Sequence, residues 1–137
     1  MKPLLTLFFL AVTLSTVNSH ANTNFSVTSK ARGISAFDFT VTEIHRSESY
    51  STLSIPKFQS RSAAASRWMM CVYAELAIAR GFEYWSSIYT DDSGDNIVIV
   101  FPQTNSTSDP AFNNIDLLGT EPTISELSTY KLFCGLK

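Results

Sequence analysis

The sequence has little concentrated positive charge. Its 10 lysine and arginine residues are scattered among 12 acidic residues, and the formal net charge is −2. A protein that binds the phosphate backbone of nucleic acid presents clustered cations, because its affinity comes from neutralising several phosphates together. We therefore do not expect nucleic acid as a partner.

The sequence also lacks an uninterrupted apolar run of the roughly 20 residues that a membrane-spanning helix needs. Its most apolar segment, Leu4 to Val12, follows Lys2 and gives way to polar residues that end at Ala21. A basic start, a short apolar core and a final small residue are typical of a secretory signal peptide. We predict a signal peptide over 1–21 and a single domain over 22–137, with an uncleaved anchor as the alternative.

Cleavage after the signal peptide would leave nine basic residues against twelve acidic ones, a formal charge of −3. No cysteine lies near the expected cleavage point, so the pattern does not support a lipid-anchored protein. These features predict a periplasmic or secreted protein that has no stable membrane anchor once the signal is removed.

Cysteine is scarce, with two residues, Cys71 and Cys134. In an oxidising compartment two thiols commonly pair, and closing so long a loop stabilises a fold by roughly 4 kcal/mol on the chain-entropy model. We predict a Cys71–Cys134 disulfide. The alternative is a buried, free Cys71 and an unpaired Cys134 near the end of the chain.

Hydrophobic periodicity predicts an α+β fold. Alternating apolar residues indicate strands at 37–44 and 50–55, an aromatic-rich strand is expected at 82–89, and the continuous apolar run 97–101 indicates a central strand covered on both faces. One helix lies between the two pairs of strands in sequence. This order predicts a two-layer sandwich, with a mostly antiparallel sheet and one main helix packed on one face.

The predicted helix covers 63–80, where no glycine or proline occurs. Ser60 or Ser62 is a suitable N-cap, and Gly81 is a suitable C-cap because it adopts positive φ without strain. A helical wheel predicts one apolar stripe along this helix, formed by Ala64, Trp68, Val72, Leu76 and Ala79.

Two segments have no clear periodicity. Residues 103–123 are polar and contain two prolines, and a long loop of this kind is often functional or mobile. The C-terminal segment is ambiguous, because 124–130 fits a short helix whereas 130–136 fits a last strand. A polar turn is expected at 45–49.

No catalytic motif is recognisable. The G-x-S-x-G elbow of serine hydrolases does not occur, and His45 is the single histidine outside the predicted signal peptide. The segment 91–95 contains three aspartates around a glycine but lacks the spacing of a calcium loop, so a solvated turn is the preferred interpretation. We expect no cofactor, no metal and no catalytic residue.

Glu75 is the residue that most needs an explanation. It lies beside the apolar stripe of the helix and should be at least half-buried, and a buried carboxylate needs a partner. We interpret it as a structural acid held by an arginine, a tyrosine hydroxyl or backbone N–H groups. The alternative makes Glu75 a proton donor or a ligand contact in a groove.

Aromatic residues are concentrated in the strand 82–89. Alternation sends Phe82 and Tyr84 to one face of the sheet and Trp85 and Tyr89 to the other. Either the loop 103–123 covers the second pair, or Trp85 and Tyr89 form a binding surface, where tyrosine and tryptophan are favoured anchors.

The segment 71–89 resembles the helix-to-strand core of small bacterial cell-envelope lipoproteins of unknown function. The similarity lies in a helix that contains Ala74, Glu75 and Leu76 and runs into Gly81, Phe82 and Tyr84. The resemblance implies a bacterial periplasmic setting and a helix-on-sheet fold, and it implies no activity. This chain differs in lacking the lipid-acceptor cysteine and in carrying two internal ones.

These observations predict an exported, non-catalytic binding protein of the bacterial envelope. Its expected partner is a protein or another envelope macromolecule, as for an accessory, inhibitor or immunity-type protein. The alternative is a small secreted or periplasmic hydrolase that uses Glu75 or His45.

Overall fold

The computed structural model describes residues 24–137, so the predicted signal peptide lies outside the described residues. The predicted α+β fold is confirmed: a curled antiparallel sheet of six strands carries one long helix. The strands are β1 (Ser26–Thr28), β2 (Thr40–Arg46), β3 (Tyr50–Ser54), β4 (Tyr84–Tyr89), β5 (Asn96–Val100) and β6 (Ser125–Glu126), and the helices are α1 (Ala63–Arg80) and α2 (Leu127–Cys134).

The bounds of α1 match the predicted helix because both ends carry capping residues. At the start, the Ser62 hydroxyl accepts a hydrogen bond from the N–H of Ala65 at 3.2 Å. At the end, Gly81 has φ 80° and its N–H donates to the Ile78 carbonyl at 3.1 Å. A side chain at Gly81 would be strained in this left-handed conformation.

The buried face of α1 differs in part from the predicted stripe. Ala64 and Ala79 are exposed and Trp68 is half-buried at the rim, whereas Val72 and Leu76 are buried as expected. The face of α1 that packs on the sheet is shifted by one residue at the start of the helix, so that Ala65 and Met69 are buried in place of Ala64 and Trp68. Its other buried members are Tyr73, Ala74 and Ala77.

The sheet order is β1-β2-β3-β5-β4-β6, which places β5 between two strands. Ile97 and Ile99 face the cluster under α1, while Val98 and Val100 face a second cluster on the opposite side. The loop 103–123 contributes Phe112 to that second cluster. The prediction of a central strand covered on both faces is confirmed.

The strand β2 contains a β-bulge between Glu43 and His45. Before the bulge Phe39 and Val41 are buried, as the alternation predicts, and Glu43 continues the same buried face. Ile44 is the extra residue of this bulge and is 56% exposed, on the face opposite Glu43.

The C-terminal segment is a helix, so the predicted last strand at 130–136 is wrong. After the two residues of β6 the chain turns into α2, which ends at Gly135. The predicted disulfide is confirmed, since Cys71 of α1 is bonded to Cys134 of α2. It therefore joins two helices rather than a helix and a strand. Among residues 24–137, no helix has the length and apolar character to traverse a bilayer.

Candidate functional site: a groove at the outer edge of β4

A groove of about 480 Å³ lies along the outer edge of β4. The edge strand forms one side of it, the segment 117–123 forms the opposite wall, and side chains of α1 and α2 complete it. We refer to it as the β4 groove. Its lining includes Met70, Ser87, Tyr89, Leu117, Glu121 and Tyr130.

The groove exists because β6 pairs with only the first part of β4. The paired residues are Tyr84 with Glu126 and Trp85 with Ser125. Upstream of Ser125 the chain leaves the strand edge and passes through Pro122, which has no N–H to offer a sheet. No strand among residues 24–137 pairs with the outer side of Ser87 or Tyr89.

Backbone hydrogen bonds show which main-chain groups face the groove. The N–H of Leu127 donates to the Glu83 carbonyl at 2.8 Å, so the main-chain groups of Glu83 point toward β6. In an antiparallel ladder successive residues point to opposite sides. Every second residue after Glu83 points the same way. Ser87 and Tyr89 therefore direct their N–H and C=O groups to the outer edge of β4, away from β5.

Of the two predicted binding residues, Tyr89 lies in the groove. It is 39% exposed, and its hydroxyl accepts a hydrogen bond from Nη2 of Arg61 at 3.2 Å. The guanidinium of Arg61 also lies 4.6 Å from the centroid of the Phe58 ring. These contacts hold the Tyr89 ring in place at the groove surface, and its role in binding stays a prediction.

The prediction that Trp85 is an exposed binding residue is wrong, because its side chain is completely buried. The helix α2 covers it, and the rings of Trp85 and Tyr130 lie 5.1 Å apart between centroids. The sequence analysis left the C-terminal segment open between a short helix and a strand, and it named the loop 103–123, not this segment, as the possible cover for Trp85. Trp85 instead supports Tyr130, which lines the groove.

Glu75 is engaged by an arginine. Its side chain is 19% exposed, and Nη1 of Arg32 donates to its Oε1 at 2.6 Å. This is one of the contacts that the structural interpretation of Glu75 expected. Whether the residue has a further role stays a prediction.

His45 lies on β2 rather than in the predicted polar turn, which begins later in the chain. Its ring is exposed and stands against Tyr50, with 5.6 Å between ring centroids and 3.4 Å between Nε2 and the tyrosine hydroxyl. The two residues occupy the strands on either side of the β2–β3 turn. A cross-strand aromatic contact of this kind stabilises a hairpin.

The acid that sequence reasoning missed is Glu43, whose side chain is completely buried. Its Oε1 accepts hydrogen bonds from Nε and Nη2 of Arg46, at 2.9 and 2.6 Å, and from the N–H of Phe25 at 3.2 Å. Its Oε2 accepts a hydrogen bond from the Ser51 hydroxyl. The period-two pattern through Phe39 and Val41 would have placed Glu43 on the buried face.

Arg80 joins this network from the end of α1. Its side chain is 7% exposed, and its Nη1 lies 3.9 Å from Oε2 of Glu43. The same nitrogen donates to the Ser51 hydroxyl at 2.6 Å and to the Tyr50 carbonyl at 3.2 Å, while Nη2 donates to the Ser47 carbonyl. Arg80 thus fastens the helix to the β2–β3 hairpin.

The network has a defined electrostatic balance. Burial raises the pKa of the Glu43 carboxyl, but the hydrogen bonds from Arg46, Ser51 and Phe25 outweigh burial and hold the pKa below its usual range. Burial lowers the pKa of Arg80, as does the positive charge of Arg46, and Glu43 opposes both effects. Glu43 is therefore a fixed anion between two cations.

The aspartate-rich turn is organised by its own hydrogen bonds. Oδ1 of Asp91 accepts bonds from the N–H of Ser93 at 2.9 Å and from the Ser93 hydroxyl at 2.5 Å. Between residues 24 and 137, no group of three histidine, cysteine or acidic side chains is placed to hold a metal ion. Asp91 serves here as the acceptor that shapes the turn.

A second cavity of about 500 Å³ lies beside the stacked rings of Phe82 and Phe101. Two carboxylates line it, those of Glu48 and Asp109. Asp109 is bound within the loop, because its Oδ2 accepts from the N–H and hydroxyl of Thr104 and its Oδ1 accepts from the N–H of Ala111. These bonds hold the loop 103–123 in shape. The β4 groove is the stronger candidate, since it borders outward-facing main-chain groups.

Comparison of the chain with family models, curated proteins and solved structures gave no match. The resemblance of residues 71–89 to envelope lipoproteins therefore stays a prediction.

Proposed function

We propose that this chain is an exported, non-catalytic binding protein of the bacterial envelope and that it binds another macromolecule through the β4 groove. The observation that carries the proposal is the open strand edge beside a cavity of about 480 Å³. A partner that fills this groove gains both apolar contacts and main-chain hydrogen bonds. An accessory, inhibitor or immunity-type protein would act in this way.

The shape of the groove favours a polymeric partner. Its lining follows three consecutive residues, 87–89, on one side and most of the segment 117–123 on the other. Apolar side chains from α1, α2 and the loop meet there, among them Met70, Leu117 and Tyr130. Convergent apolar groups with a few polar ones are the usual composition of a binding site.

Export is supported by two features. The N-terminal pattern predicts a signal peptide, and disulfides persist mainly in oxidising compartments. The Cys71–Cys134 bond fits such a compartment, and it also fixes α2, which carries the groove residue Tyr130. The same bond therefore supports an oxidising location and holds one of the helices that line the groove.

The contacts of Glu75 and His45 do not favour the hydrolase alternative. Arg32 binds the carboxylate of Glu75, and the ring of His45 stands against Tyr50 on the neighbouring strand. Nucleophilic catalysis needs a nucleophile within hydrogen-bonding reach of its base, with a third group that orients the base. Neither residue supplies such an arrangement through these contacts.

A site-specific photo-crosslinking experiment tests the proposal. A benzophenone amino acid is placed at Leu118 in the groove wall or at Ile44 on β2, which are 55% and 56% exposed. Each oxidised protein is irradiated in periplasmic extract. We expect a discrete adduct from position 118 and none of that mass from position 44.

Tyr89→Ala in the position-118 protein supplies the second control, because it removes an exposed groove ring. We expect the adduct to fall at least several-fold while circular dichroism remains that of the parent. Equal adducts from positions 118 and 44 would overturn the proposal. So would turnover of an ester or cell-wall substrate that is lost on replacing Glu75 or His45 in a folded protein.

A further inference from the structure

We propose that the partner enters the β4 groove as a single extended polypeptide strand and extends the sheet at Ser87 and Tyr89. This inference rests on the proposed function, because it specifies what the groove binds. Strand addition to an exposed sheet edge draws affinity from main-chain hydrogen bonds and specificity from pockets for alternate side chains. The groove offers both.

The ladder between β3, β5 and β4 determines which main-chain groups of β4 face outward. The Phe101 N–H donates to the Ser49 carbonyl at 2.7 Å, so Phe101 points toward β3 and its neighbour Val100 points toward β4. Val100 pairs with Ser86, and Val98 pairs with Ile88. Ser86 and Ile88 thus carry the bonds to β5. The outward groups of Ser87 and Tyr89 have no strand partner within 24–137 and are open to an incoming strand.

The wall of the groove selects a single strand over a second copy of this chain. Neighbouring strands in a sheet lie about 4.8 Å apart, so two whole domains could join at this edge only if nothing stood beside it. The segment 117–123 stands there and forms the far wall of the cavity. A slender segment fits between the wall and β4, whereas the edge of another sheet would meet the loop.

The lining indicates the side chains of the incoming strand. Side chains of an extended strand alternate between two faces, so one set would meet Met70 and Tyr130 of the helices and the other would meet Leu117 of the loop. Glu121 is the carboxylate of the lining and is exposed. The favoured partner strand therefore has apolar residues on both faces and a lysine or arginine near Glu121.

A matched pair of variants at Ser87 isolates the main-chain contribution. Ser87→Pro removes the outward N–H without touching the bonds to β5, and proline is tolerated where the N–H of an edge strand faces solvent. Ser87→Ala removes the hydroxyl and keeps the N–H. A library of random octapeptides displayed on phage is panned against the intact oxidised protein and against both variants.

We expect enrichment of peptides with apolar residues at both odd and even positions and one basic residue. The affinity of Ser87→Pro should fall about tenfold below that of Ser87→Ala, because the two variants differ in the one outward N–H and in the hydrogen bond that it donates. Synthetic versions with N-methyl groups on alternate amides, prepared in both registers, should lose affinity in one register only. This peptide test remains decisive if the proline variant does not fold.

Amide hydrogen exchange gives an independent readout. The N–H groups of Ser87 and Tyr89 should exchange rapidly in the free protein and become protected when an enriched peptide is bound. No enrichment, or enriched peptides whose affinity is unchanged by N-methylation in either register, would overturn strand addition. The adduct from position 118 would still stand in that case, so failure of this inference is distinguishable from failure of the proposed function.

Discussion

Polar groups are handled differently in two regions of the sheet: they are buried and paired around β2 and β3, and they are open at the outer edge of β4. On the β2–β3 side, Glu43 is completely buried and bound by Arg46, Ser51 and a backbone N–H, while Arg80 adds a second cation. On the β4 side, β6 pairs with only two residues, and the main-chain groups of Ser87 and Tyr89 face a groove. The buried charges are thus bound within the fold, whereas the outer backbone groups at Ser87 and Tyr89 have no strand partner within residues 24–137.

The largest expected effect comes from breaking the network on the β2–β3 side. Arg80→Met keeps the length of the side chain but removes its hydrogen bonds and leaves Glu43 with Arg46 as its one close cation. The oxygens of Ser51, Tyr50 and Ser47 would lose the hydrogen bonds that Arg80 donates to them. Leaving a buried acceptor unpaired costs about 1–3 kcal/mol, so we expect a total loss of about 3–5 kcal/mol. Urea unfolding followed by tryptophan fluorescence measures this loss.

Arg67→Met is the matched control, because Arg67 lies on the same helix and is exposed. We expect it to change the free energy of unfolding by about 0.5 kcal/mol or less. Similar losses for both variants would contradict the role given to Arg80.

The next effect concerns the β4 side. Replacing Cys71 and Cys134 together by alanine removes the covalent tie between α1 and α2, and we expect a loss of about 2–4 kcal/mol. Crosslinking from position 118 should also weaken, since α2 carries Tyr130 of the groove. Calorimetry and crosslinking on the same variant would separate the two losses, and unchanged crosslinking would show that the groove does not need the tie.

A smaller effect is expected from acid. The pKa of Glu43 is lower in the folded protein than its ordinary value of 4.5, so the unfolded chain takes up the proton first as the pH falls. The stability that Glu43 contributes is therefore present above about pH 5 and is lost as the pH falls through its folded pKa. Urea midpoints between about pH 7 and pH 3 report this loss.

Glu43→Gln should lose less stability between those pH values than the parent protein. Some acid sensitivity will remain in the variant, because hydrogen bonds from Ala111 and Thr104 also lower the pKa of Asp109. An identical pH dependence in the parent and the variant would contradict the assignment to Glu43.

The smallest effect is expected at Glu75. Its partner Arg32 is 48% exposed, and exposed ion pairs contribute about 0.2–1 kcal/mol. Glu75→Gln and Arg32→Gln should each lose about that amount, and the double variant should lose little more than either one. A folded Glu75→Gln protein that no longer gives the position-118 adduct would show that Glu75 acts in binding.

Local signals were sufficient to predict much of the fold. The helix 63–80 was predictable because it lacks helix breakers, has a serine before it and a glycine after it. The strand 97–101 was predictable because an uninterrupted apolar run of that length fits a strand covered on both faces. The pairing of the two cysteines followed from their number.

The groove was not predictable, because it depends on contacts distant in sequence. Alternation assigned Trp85 and Tyr89 to one face, but it carries no information on where α2 would lie. The segment 130–136 fits both a strand and a helix locally, and its packing over Trp85 decides between them. Alternation from Phe39 through Val41 does place Glu43 on the buried face. A charged residue is not normally expected there, so the position was overlooked.

The bond between Cys71 and Cys134 has a consequence for when the groove becomes complete. Newly made chain in a reducing environment would hold α2 by packing alone, with Leu132 and Phe133 already 91% and 67% exposed. Formation of the disulfide would then fix the position of α2, whose Tyr130 lines the groove. Under the export proposed above, the groove would reach its final shape only after the chain has entered an oxidising compartment, where disulfides persist.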